Sequence, residues 1–226
     1  MRRNESRNAT LSSASTRVIS CLGKDRGAAK SCQEMGVFDV VNELPRHRFT
    51  IAEYERLSNA GVLPKDLRTE LIDGAIVEVS PMLPPHAATV GRIATVFVQR
   101  FAERATVRSQ LPLRIPPRSE PQPDVLLARY RFDFYASDHP EPNDVLLVVE
   151  VWDSSVRVDR LVKAPLYAAA RIPELWIVNV AQRMVEVYRE PRSSSYQQAF
   201  TVTEGSAAAL AFPDVKLPLE VLVGPP

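Results

Sequence analysis

The run Val145–Trp152, VLLVVEVW, is the feature that most restricts what this chain can become. Seven of its eight positions are apolar, so neither face can meet water. A strand of that kind sits in the middle of a sheet covered on both sides. The chain has 226 residues, enough for one sizeable core, and its 45% hydrophobic and 24% charged content is that of an ordinary globular protein. The exception within the run is Glu150. Burying an isolated carboxylate costs several kcal/mol, roughly, unless a cation, a metal or a proton shares the site.

A second short apolar run, Val125–Leu127, opens directly after Asp124, 26 residues before Glu150. If the two strands are neighbours, both carboxylates reach one point. Two hard oxygen ligands on rigid strands, with positions left for water and phosphate, suit Mg²⁺, with Mn²⁺ as a substitute. Such an ion activates water and neutralises phosphoryl charge. Lys163 follows Glu150 by 13 residues, on a helix expected to pack back onto the same sheet. A lysine there could orient water or stabilise the charge of a phosphoryl transition state. Glu70 is a fourth candidate. Each residue also has a plain structural reading. Asp124 would serve as a turn residue after Pro123, and Glu150 as a structural ion-pair partner. Lys163 would pair with Asp159 along the helix, and Glu70 would join a cross-strand charge pair.

The elements around these residues are legible from pattern. TIAEYERLSNAG reads as a helix ending at glycine. RTELIDGAIVEVS reads as a hairpin about Asp73-Gly74. PPHAATVGRIATVFVQRFAER carries Val90, Ile93, Ala94, Phe97, Val98 and Phe101 at helical spacing. VRSQLPLRI alternates like a strand. Residues 157–170 look helical, with Pro165 expected to kink or interrupt the helix. LWIVNV and MVEVYRE form a strand pair, and two or three short strands follow Tyr196. The expected fold class is therefore α/β, or α+β, with helices on a central mixed sheet.

Residues 1–36 are Ser- and Arg-rich without apolar periodicity and read as a disordered basic tail, with 37–226 as the domain. Met35 opens the domain-like sequence, so a misassigned start is a further reading, which N-terminal sequencing would decide. The tail carries +4 and the rest −3, and an acidic body disfavours non-specific DNA binding. Cys21 and Cys32 have no metal-site spacing and fit a reducing cytoplasm. No apolar run approaches the ~20 residues needed to cross a bilayer.

Several blocks, in order, carry a resemblance: RFTIAEYERL, ELIDGAIVEVSPMLPPHAATVGRI, SEPQPDVLL, DFYASDHP, DVLLVVEVWDSS, DRLVKAPLYAAARIPELWIVNV and VEVYREP. Together they resemble the bacterial Uma-type family of restriction-endonuclease-like proteins, a branch of the PD-(D/E)XK nuclease superfamily. The resemblance covers about Phe49 to Pro191. It implies a restriction endonuclease-like core, Mg²⁺-dependent phosphodiester hydrolysis and DNA as substrate. It maps the metal ligands onto Asp124 and Glu150, with the Val151 carbonyl beside them. It maps the lysine onto Lys163, because Trp152 occupies the superfamily's lysine position two residues after the glutamate. Glu70 falls in the family's ELIDG block.

His86 matches a family histidine and, with Ser154 and Ser155, is a candidate for phosphate contact. The bland alternatives are a first-turn residue for His86 and helix caps for the serines. Arg171 stands where the family has glycine, and Asn179 where it has aspartate. Arg92, Arg100, Arg104 and Arg108 read as a solvated face, and Trp152 and Trp176 as core or groove aromatics. Double-strand cutting would suit a homodimer. The competing readings are a non-catalytic interaction module on a nuclease-like scaffold, and a carboxylate-pair glycosidase, which would need no lysine.

Overall fold

The computed structural model describes residues 45–64, 66–79, 81–152 and 156–224. The expectations placed on residues 1–36, on Ser154 and Ser155 and on the Asp159 side chain lie outside the described parts. The chain divides into two units, Met1–His47 and Arg48–Pro226, and the fold below is that of the second.

The apolar run becomes β5 (Val145–Trp152), the third strand of a six-stranded sheet. Its neighbours are β4 (Val125–Arg129), antiparallel, and β6 (Glu174–Asn179), parallel. A parallel pair needs a crossover, and α3 (Val156–Ala169) supplies it. The remaining strands β3 (Ala105–Arg108), β7 (Met184–Arg192) and β8 (Ser195–Val202) add antiparallel, giving the order β3-β4-β5-β6-β7-β8.

Alternation along β5 sorts its side chains into two cores. Val149 and Val151 join Val90, Ile93, Phe97 and Phe101 of α2 (Pro84–Phe101). Val148 and Trp152 join Leu126, Ile177 and Tyr167, the last on α3. Glu150, between them in sequence, therefore faces α3. Phe97 stacks edge-on against both Phe101 and Trp176, and burying each such ring contributes about 2–3 kcal/mol.

A smaller layer holds Glu70. Helix α1 (Ile51–Asn59) starts at a capping box in which Thr50 and Glu53 satisfy each other's backbone N–H groups. The Tyr54 hydroxyl donates to the Thr69 carbonyl at 2.9 Å and ties α1 to the hairpin of β1 (Thr69–Ile72) and β2 (Ala75–Glu78). The turn has positive φ at Asp73 and Gly74, as a type I′ turn requires. A side chain at position 74 would also collide with Arg48, whose Cβ lies 2.8 Å from where it would start. The short strands β9 (Ser206–Ala207) and β10 (Leu217–Pro218) pair with each other before a final helix, α4 (Leu219–Val223).

Three expectations are corrected. The strand read over 107–115 ends at Arg108, because Gln110 adopts positive φ (53°) and turns the chain out of the sheet. Helix α3 continues through Pro165; the proline removes one N–H on the flank where Leu161 is exposed, and the helix is not interrupted. Arg108 is buried, not on a solvated face.

Candidate active site

β4 ends one residue before it would pair with Glu150: its last partners are Val125 and Val149. Asp124 sits at that ragged end, and its carboxylate takes over what a strand would have done. Its Oδ2 accepts the Val151 N–H at 2.8 Å. The Trp152 carbonyl accepts from Val180, on the β6 side. Because backbone groups alternate along a strand, Val151 presents both its N–H and its carbonyl toward the end of β4. Asp124 is further fixed by Ser109, whose hydroxyl donates to its carbonyl, and by Gln110, whose amide reaches Oδ1 at 3.3 Å.

His86, in the first turn of α2, lies with Nε2 3.0 Å from the other face of the same carboxylate, at Oδ1. Pro84 and Pro85 start that helix.

Glu150 is 5% exposed. The Tyr167 hydroxyl donates to its Oε1 at 2.6 Å, and the Asp124 N–H approaches Oε2 at 3.4 Å. The Lys163 ammonium stands 3.7 Å from Oε1. Lys163 and Tyr167 are four apart on α3, so one helix face aims both at this carboxylate. Burial pushes the Glu150 carboxyl up to about 8, against the pull of Lys163; the neighbouring Asp124 charge pushes the same way as burial. Burial likewise holds the Tyr167 hydroxyl well above its ordinary range, so it stays a donor.

Lys163 bridges to the hairpin as well, at 3.3 Å from Glu70. Glu70 Oε1 also accepts the Gln122 N–H at 3.0 Å. Its register partner on β2 is Val77, so the cross-strand charge pair is replaced by this bridge to α3. Asp124, Glu150, Lys163, Glu70 and His86 thus come from five different segments into one connected network. Tyr167 and Gln110 belong to it and were not among the candidates. Tyr167 had a signal in sequence, its spacing of four from Lys163; Gln110 had none.

No group of three His, Cys, Asp or Glu side chains forms a closed metal cage among the described residues. Mg²⁺ does not require one; it binds one or two carboxylates and keeps its waters. The donors at the end of β4 are hard oxygens, and Glu150 sits where a cation would relieve a carboxylate that burial keeps protonated. The donor set fits such an ion, which Asp124, Glu150 and the Val151 carbonyl would hold.

Comparison with known proteins agrees with this architecture. The crystal structure of a putative nuclease belonging to DUF820 from Anabaena variabilis ATCC 29413 is 18% identical, with a TM-score of 0.59. The match spans 77% of this chain and 97% of that one, a likeness of fold. A search of curated proteins gives no match. The model of one family, described as "Uma2: Putative restriction endonuclease", matches residues 51–220. That span is most of the chain and includes every residue of the network, and the chain belongs to the Uma2 family.

Proposed function

We propose that this protein is a metal-dependent endonuclease that hydrolyses phosphodiester bonds in DNA. The observation that carries the reading is the convergence of Glu150 and Glu70 on Lys163, with Asp124 beside Glu150, inside a family whose description reads "Putative restriction endonuclease". Asp124 and Glu150 would hold Mg²⁺ or Mn²⁺ with the Val151 carbonyl. The bound ion supplies a neutralised phosphate and a more acidic water. Lys163, anchored by Glu70, holds a positive charge beside that position and balances the charge that develops on the phosphoryl oxygens. Tyr167 keeps Glu150 oriented by occupying one of its oxygens. His86 fixes Asp124 from the opposite side by donating its Nε2–H to Oδ1.

Plasmid nicking with Mg²⁺ or Mn²⁺, run beside Asp124→Asn and Lys163→Met, tests this. We expect cleavage by the wild type that both variants lose. Cleavage retained by Asp124→Asn would remove the metal-site assignment, and activity retained by Lys163→Met would favour a carboxylate-pair hydrolase of another class.

One observation favours a second reading, a non-catalytic interaction module. Both Asp124 oxygens already have partners in Val151, His86 and Gln110. If Mg²⁺ left the thermal stability unchanged, this reading would gain, because a ligand of the folded state must raise it.

A further inference from the structure

The two edges of the sheet are unlike. β3 is four residues long and ends in the buried Arg108. β8 runs for eight residues, SYQQAFTV, without a charge or a proline. Among the described residues no strand pairs with its outer side. Alternate residues of an antiparallel edge strand point N–H and C=O groups outward. Soluble proteins ordinarily blunt such an edge with charge, proline or a bulge. Along β8 none of these is present: its pairing with β7 is regular from Val202 to Gln198, and its side chains from Gln197 to Thr201 are exposed.

Beside this strand lies a cavity of about 250 Å³, lined by Val187, Phe200, Val202 and Leu210 and also by Arg189 and Lys216. Phe200 is 41% exposed and Leu210 52%. An open backbone edge flanked by a recess of mixed polarity is an arrangement that accepts an added strand: hydrogen bonds hold the main chain while alternate side chains find a seat.

We propose that the occupant is β8 of a second copy of this chain, paired antiparallel across a two-fold axis into one continuous twelve-stranded sheet. Charge argues for a second copy. In a two-fold contact the residues at the centre of the strand face their own counterparts or near neighbours, so a charge there would be set against its like. About a quarter of the chain is charged, yet this strand has no charge to repel its twin.

The test is sedimentation of the full-length protein from about 1 to about 100 µM, a range over which a tenfold change in a micromolar dissociation constant is read. Wild type, Gln198→Lys, Gln198→Glu and an equimolar mixture of the two variants are compared. Gln198 is exposed, so equal melting temperatures are expected for all at concentrations too low for the dimer to form. We expect a wild-type dimer, each variant alone about tenfold weaker in self-association, and the mixture restored. A monomeric wild type overturns the proposal. So does a wild-type dimer that both variants keep, which would place the interface elsewhere. Variants that dissociate with no recovery in the mixture also overturn it, since β8 would then face something other than itself.

Discussion

Glu150 and Glu174 are both buried on neighbouring strands of this sheet, and they are buried differently. Glu174, at the start of β6, is fully enclosed. Its Oε1 accepts the Trp176 indole N–H at 2.9 Å and the Arg189 guanidinium, paired at 2.7 Å. Its Oε2 accepts the Leu210 N–H at 2.6 Å. Each oxygen is met by at least one donor, and the nearest charge is opposite. Glu150, one strand away, meets a neutral hydroxyl, a long amide contact and a lysine that Glu70 also claims. Asp124 adds a like charge. Burial of a carboxylate is therefore not the mark of a functional site. The mark is compensation left incomplete, where a proton or a cation must enter to balance the charge.

This contrast can be broken in four ways. The largest effect is expected from Glu150→Gln, which should lower nuclease activity by about a thousandfold, or about 4 kcal/mol. The same variant should melt close to the wild type, because amide replaces a carboxyl already protonated at neutral pH. A large loss of stability would move Glu150 into the structural class. Next is Glu174→Gln, which leaves Arg189 without its anion and should cost about 3 kcal/mol of stability, read by urea unfolding. If it cost nothing, Glu174 would not be a structural pair.

The third is a pH dependence without metal. Native Glu150 holds its proton up to about 8, whereas in the unfolded chain it releases it near the ordinary 4.5. Its contribution to stability is fully present below 4.5 and is lost as pH rises through 8. The slope from this group alone reaches at most about 1.4 kcal/mol per pH unit. Glu150→Gln should flatten that fall between pH 5 and 8; identical slopes in the two proteins would contradict the shift.

The smallest effect lies in the turn joining the two regions. Arg171, exposed between α3 and β6, has φ of 60°, a backbone conformation that favours glycine. Arg171→Gly should raise stability by about 1 kcal/mol without changing activity. A fall in stability would mean that the arginine side chain holds the turn.

What the sequence disclosed follows from range. The Asp73-Gly74 turn, the α2 face and the buried run of β5 are local patterns, and each formed as its residues dictate. The stretch after Arg108 misled because alternation reports burial rather than strand pairing. Leu113 and Ile115 are indeed buried, but on a loop held by backbone bonds to Ser119 and Pro121. Asp124, Glu150 and Lys163 were legible as a set through the family resemblance; their distances were not. Glu174 carried no signal, since Arg189 and Leu210 lie 15 and 36 residues away. Helix α4, five residues long, is too short for periodicity to reveal.

The hydrogen bond from Val151 to Asp124 gives this protein an internal reporter. A backbone amide that donates to a carboxylate is sensitive in its proton chemical shift to whatever else that carboxylate holds. The Val151 amide resonance would thus register an ion, a protonation or a substrate phosphate arriving at Asp124, in solution and without any turnover. One assigned peak would follow the candidate site through its states.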